Sequence, residues 1–182
     1  LLPFSVVLLI VALAVGWSIV RSRARRMDLS ASEASKLFIW MAVFGFFVGH
    51  LAKYVVYGTE SLQDNLAEAF STWRGLASFG GIFGALIGAA CWMLFKRQRL
   101  LETLRYVDLL AFAFPFAWIF GRAACALSHD HPGIRSGNWL AVQYPGGPRF
   151  DLGLLEFFYT LGIAVLFLIL DRKPRHAGFF LT

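Results

Sequence analysis

Residues 75–95 read GLASFGGIFGALIGAACWMLF, an unbroken run with no charged side chain. A helix needs about 20 apolar residues to cross roughly 30 Å of hydrocarbon, so this stretch predicts a transmembrane helix. Gly75, Gly80, Gly81, Gly84 and Gly88 stand within it, and the last of these complete two overlapping G-x-x-x-G frames. Such frames let helix backbones approach closely, which makes packing the expected role of the stripe and a ligand contact its rival.

Working outward, windows of similar length and apolarity lie at about 1–20, 36–57, 106–127 and 152–170. The composition agrees, with 58% of the 182 residues apolar, 16% aromatic and only 15% charged. An average soluble domain carries about 25% charged residues, so a disordered chain and a nucleic-acid-binding domain are both excluded. The first window is no signal peptide, because its basic cluster RSRARR follows the apolar stretch and no small-residue cleavage site comes after it. Cys91 and Cys125, both inside apolar runs, are too few and too poorly spaced for a disulfide framework or a zinc site. The chain opens at Leu1 without an initiator Met and stops inside a fresh apolar run, GFFLT, so a fragment is expected. The fold class that follows is all-α: one polytopic membrane domain over 1–182, with five transmembrane helices and the start of a sixth.

Orientation comes from the cations in the short loops, since Lys and Arg accumulate on the cytoplasmic side. Arg21, Arg23, Arg25 and Arg26 follow the first span, Lys96, Arg97 and Arg99 the third, and Arg172, Lys173 and Arg175 the fifth. The loops after the second and fourth spans carry Glu60, Asp64, Glu68, Asp130 and Asp151 against few cations, which puts them outside together with the N-terminus. The net charge of +6 then reflects basic loops beside lipid phosphates rather than a polyanion site. Within 60–73, Leu62, Leu66, Phe70 and Trp73 share one helical face, which predicts a helix at the outer interface, either a plain connector or a lipid-handling element. Residues 128–151 form the second outer loop.

Ionisable residues inside spans are costly in hydrocarbon, so each is a functional suspect. The suspects are His50, Lys53, Asp108, Arg122 and Glu156. All except Asp108 fall in the outer half of the bilayer and could line one outward-facing pocket. Arg122, in FGRAACALSHDHPG, is the sharpest signal: a guanidinium at head-group depth suits a phosphate, which it grips with a bidentate fork. Internal pairing with Glu156 or snorkelling outward are the alternatives. Ser128, His129, Asp130 and His131 follow at once and end in a Pro132-Gly133 turn. A His beside an Asp is what a general base needs, and substrate contact, a solvated loop or a metal site remain open beside it. Cys125 reads as a buried packing residue, with a nucleophilic role as the alternative. An inverted-repeat transporter would show two similar halves, and the chain has no internal repeat.

From the second span onward the sequence resembles the bacterial prolipoprotein diacylglyceryl transferase family. The family's G-R-x-x-N-x-x-x-x-E-x-x-G signature resembles GRAACALSHDHPG from Gly121 to Gly133 without a gap, and the Asp and Pro upstream of it match Asp108 and Pro115. The Gly-Gly segment of the family's third long helix resembles LASFGGIFG from Leu76 to Gly84. Its P-R-H-P-S-Q-L-Y-E stretch resembles PRFDLGLLE, keeping Pro148, Arg149, Leu154 and Glu156, and the R-K-P exit recurs at Arg172 to Pro174.

The resemblance implies an enzyme of the bacterial inner membrane that moves the diacylglyceryl group of phosphatidylglycerol onto the lipobox cysteine thiol of a preprolipoprotein signal peptide. Glycerol phosphate leaves, and no cofactor or metal is expected because the lipid donor is already activated. The expected partners are phosphatidylglycerol, the preprolipoprotein and membrane lipids, with no nucleic acid. Arg122, His129, Asp130, His131 and Glu156 form the expected catalytic set. His50, Gly80, Gly81, Gly121, Cys125, Gly133 and Arg149 form the expected substrate-binding set. The chain departs from the family pattern at Phe79, where the family carries a His before the paired glycines, at Cys125 for Asn, and at Asp130 for Glu. Phe150, Asp151, Leu152 and Gly153 replace H-P-S-Q. Two accounts follow: His129 or His131 supplies the base from the outer loop, or the chain is an inactive lipid-binding or scaffolding homologue.

Overall fold

The computed structural model describes residues 4–57, 77–129, 131–172 and 178–181. Among these, five helices are long and apolar enough to cross a membrane: α1 (Phe4–Arg26), α2 (Ala31–Tyr57), α3 (Ser78–Lys96), α4 (Leu100–Ser128) and α5 (Leu152–Leu170). Helices α2 and α4 contain the windows read from the sequence, α5 coincides with its window, and α1 and α3 cover theirs from Phe4 and from Ser78 onward. The first four helices run past those windows at one or both ends because a backbone in or near lipid satisfies its own N–H and C=O groups most readily by staying helical. Val43, Phe83, Leu94 and Leu166 expose half or more of their surface, as lipid-facing apolar side chains do. The protein is a multi-pass membrane protein.

The 128–151 segment holds more order than a loop. Three short strands, β1 (Pro132–Arg135), β2 (Val142–Tyr144) and β3 (Gly147–Asp151), form an antiparallel sheet in the order β1-β3-β2. Tyr144 pairs with Gly147 across a Pro145-Gly146 turn, in which the proline ring presets φ and Gly146 takes φ 90°. Pro132 and Gly133, expected as a turn, instead open β1, where proline costs no ladder bond at the first strand residue. Gly133 lets the strand close on β3, since a β-carbon there would sit 2.9 Å from the Phe150 carbonyl. The expected interfacial helix at 60–73 lies outside the described residues. Gly178–Leu181, from the expected start of a sixth helix, form a turn.

The chain divides into two compact units, Ala24–Val107 and Leu1–Arg23 with Asp108–Thr182. In the first, the glycine stripe of α3 lies against α2. A β-carbon on Gly84 would run into the Phe44 carbonyl, and one on Gly88 into the Trp40 carbonyl. Going up α3, the facing residues go down α2, so the two helices are antiparallel. Gly45 and Gly49 complete the contact from the α2 side, where a β-carbon would lie 3.0 Å from Gly81 backbone atoms. Lys96 reaches Glu33 at 3.1 Å where α3 ends beside the start of α2. Packing is thus the role of the stripe that includes Gly80 and Gly81.

In the second unit, the end of α1 meets the end of α5. The Arg23 guanidinium pairs with Asp171 and lies over the rings of Phe112 (3.9 Å) and Phe180 (4.8 Å). Asp108, fully buried on α4, accepts the Phe180 N–H at 2.7 Å. Asp108 is a suspect in the sequence; here it anchors the Gly178–Leu181 turn.

Candidate functional site

The candidate site is a seam between the last two turns of α4, the first turns of α5 and the sheet that joins them. Asp151 closes β3 and caps α5, accepting the Leu154 N–H at 3.0 Å. That cap turns the chain so that α5 descends along α4. Gly153 permits the contact: a β-carbon on it would lie 2.9 Å from the Ala126 N and 3.0 Å from the Cys125 β-carbon. One ion-paired contact stands on each side of this glycine.

On one side, Arg122 Nη1 meets Glu156 Oε2 at 2.6 Å. Arg122 is buried, its guanidinium stacked 4.5 Å from the Trp118 ring one turn earlier on α4, whereas the Glu156 side chain is 52% exposed. A guanidinium carries five N–H donors in a planar fork that matches the oxygens of a carboxylate or a phosphate.

On the other side, His129 Nδ1 donates to Asp151 Oδ2 at 2.5 Å, and the Tyr144 hydroxyl donates to the same oxygen at 2.8 Å. His129 takes φ 49° at the end of α4, a left-handed position that also terminates the helix, and its N–H still bonds the Cys125 carbonyl. Its side chain is half exposed, while the Asp151 side chain is fully buried. Burial works to raise the Asp151 pKa, but the hydrogen bonds from His129, the Leu154 N–H and Tyr144 together outweigh it and hold the carboxyl below its ordinary value. An ionised carboxylate only accepts, so the proton between them belongs to His129 Nδ1.

The other expected residues fall as follows. Asp130, the acid that the sequence places beside the histidines, lies outside the described residues; the carboxylate that holds His129 is Asp151. His131 is exposed, and its carbonyl accepts the Leu152 N–H at 3.0 Å. Arg149 donates to the Gly133 carbonyl at 3.0 Å, tying β3 to β1. Nothing would lie within 4 Å of a β-carbon on Gly121. His50, Gly80 and Gly81 belong to the other unit, where His50 is buried with its ring edge-on to Tyr54 at 5.3 Å and Lys53 lies over the same tyrosine. Phe79 is 81% exposed. Among the described residues, no three His, Cys, Asp or Glu side chains gather as metal ligands.

The profile of the prolipoprotein diacylglyceryl transferase family matches residues 4–182. The chain belongs to this family. The phosphatidylglycerol–prolipoprotein diacylglyceryl transferase of Chromohalobacter salexigens is 30% identical over 187 residues, covering 97% of this chain and 68% of the relative. Its namesake in Rhodospirillum rubrum is 30% identical over 188 residues, covering 94% and 68%. A third, from Azospirillum brasilense, is 33% identical over 175 residues, covering 90% and 63%. Membership in a diacylglyceryl transferase family gives the buried arginine on α4 a chemical context, because such a transfer must manage a phosphate. Asp151, Tyr144 and Trp118 are the site residues that the sequence reading did not single out. Asp151 had a usable signal: an Asp directly before the apolar run from Leu152 is a preferred helix N-cap.

Proposed function

We propose that this protein transfers the diacylglyceryl group of phosphatidylglycerol to the lipobox cysteine thiol of a preprolipoprotein signal peptide, at the outer leaflet of the bacterial inner membrane. The observation that carries this reading is the buried Arg122 guanidinium, paired with Glu156 at 2.6 Å between two membrane-crossing helices. A cation held in a low-dielectric setting stabilises negative charge far better than one in water, and in this reaction charge develops on the departing glycerol phosphate. Glu156 holds the guanidinium in register, and Trp118 fixes its plane. A histidine of the 128–131 run takes the proton of the attacking thiol, which at neutral pH is only a few per cent ionised on its own. Gly153 and Cys125 keep α4 and α5 close enough for both groups to serve one acceptor and one donor. The reaction needs no redox partner, because the bond formed to sulfur replaces the bond broken to phosphate oxygen.

The test uses the intact protein in detergent with phosphatidylglycerol and a lipobox peptide, read by the diacylglyceryl mass shift. Wild type transfers, and Arg122→Ala does not. Arg122→Lys keeps the charge but loses the planar fork, so kcat/KM falls by about 100-fold, the scale of losing one preorganised donor to a developing oxyanion. Full activity in Arg122→Lys would remove the bidentate phosphate role, and an inactive wild type that still binds phosphatidylglycerol would make the protein a lipid-binding homologue.

A further inference from the structure

We infer that His129, held by Asp151 and Tyr144, is the general base that deprotonates the acceptor thiol, with Nε2 as the atom that receives the proton. The inference rests on the transferase reading above and names the base within it. Three observations lead to it. First, Asp151 is buried, ionised and accepts from His129 Nδ1, which fixes the Nδ1–H tautomer and places the ring's basic lone pair on Nε2. Second, half of the His129 side chain is exposed and Nε2 makes no hydrogen bond among the described residues, while the orienting carboxylate stays out of water. Third, the Tyr144 hydroxyl shares Asp151 Oδ2, and its ring stands edge-on to the imidazole at 6.0 Å, so the histidine is fixed from two sides.

Position agrees with the role. His129 follows Arg122 by seven residues and directly succeeds Ser128, the last residue of α4, about 10 Å further along the helix axis. Arg122 pairs with Glu156 of α5 and His129 with Asp151, the cap of α5, so a phosphate at Arg122 and a thiol at His129 both lie where α4 meets α5, with Gly153 rather than a bulky side chain between the two contacts. The step balances: the S–H proton passes to Nε2, sulfur forms a bond to the glycerol carbon of the lipid, and that carbon's bond to the phosphate oxygen breaks. The electron pair leaves with glycerol phosphate beside Arg122, and His129 then gives its proton to that product or to water. Asp151 and Tyr144 are positioning residues, since they act only through the ring.

A pre-ionised acceptor separates this role from a structural one. The intact protein is assayed with phosphatidylglycerol and two lipobox peptides, one with cysteine and one with selenocysteine, whose selenol is ionised at neutral pH and needs no base. His129→Gln lowers transfer to the cysteine peptide by about 100-fold or more, as loss of a general base does, and leaves transfer to the selenocysteine peptide within about threefold of wild type. Asp151→Asn follows the same pattern with a smaller loss; His129→Gln, at a half-exposed position, decides the matter if Asp151→Asn does not fold. Equal losses on both peptides, or wild-type rates on cysteine in His129→Gln, would overturn the inference while leaving the transferase reading intact. Wild type inactive on both peptides would overturn both.

Discussion

Asp151 concentrates three hydrogen bonds on one buried carboxylate: His129 Nδ1 and the Tyr144 hydroxyl on Oδ2, and the Leu154 N–H on Oδ1. Each favours the charged form, and together they depress its pKa against the opposing effect of burial. The consequence for stability has a definite sign. A carboxyl that is more acidic folded than unfolded stabilises the fold above its unfolded value of about 4, and that contribution disappears as pH falls through the lower, folded value. Thermal unfolding in detergent between pH 7 and pH 3 should therefore show wild type losing stability over the acid end of the range. Asp151→Asn should start lower at pH 7, by about 1.5–3 kcal/mol for hydrogen bonds to a charged group, and lose less on acidification. A mutant that matched wild type at pH 7 and fell as steeply would show that the carboxylate is not the anchor of the α4–β3–α5 junction. The same residue shows where sequence reading stops. Asp151 is legible as a helix cap, but nothing in the spacing of residues 129, 144 and 151 says that a hairpin will fold Tyr144 and Asp151 onto His129.

Helices and strands differ in how openly the sequence announces them. The five spans are legible because lipid demands long apolar runs, and the helix bounds differ from the windows by about six residues at most. The α3 stripe is legible for the same kind of reason: small residues every four positions can only matter where another backbone comes close. The sheet is not, because strands of three to five residues lack a clear alternation and their pairing is set by turns, here Pro145-Gly146. The stripe offers a direct test. Gly84→Leu would drive a side chain into the Phe44 carbonyl and the Val48 β-carbon, neither of which can swing away as a flexible chain end would. Overpacking of this kind costs about 1–3 kcal/mol or more, so the unfolding temperature in detergent should fall by several degrees. Gly121→Ala, where nothing lies within 4 Å of the new carbon, should move it far less. Equal stability for Gly84→Leu would mean that α2 and α3 do not pack through their glycines.

For the molecule as a whole, two ion pairs each join helix ends that the loop charges place on one side of the membrane. Arg23 with Asp171 joins the end of α1 to the end of α5, and Lys96 with Glu33 joins the end of α3 to the start of α2. In each pair both residues come from ends that the Lys and Arg distribution assigns to the cytoplasm. At the opposite ends, His129 with Asp151 joins the exit of α4 to the entry of α5. An N-terminus outside the membrane then puts the sheet and the His129 pair on the outer side, where a secreted acceptor would present its cysteine. Single cysteines decide this in a background with Cys91 and Cys125 replaced by alanine. Gly137→Cys, exposed on the sheet segment with open space around its β-carbon, should react in intact cells with a membrane-impermeant maleimide. Ser30→Cys, exposed between α1 and α2, should react only after the membrane is permeabilised. The reverse pattern would turn the protein over, leave His129 on the side without the acceptor, and sink the base assignment together with the topology.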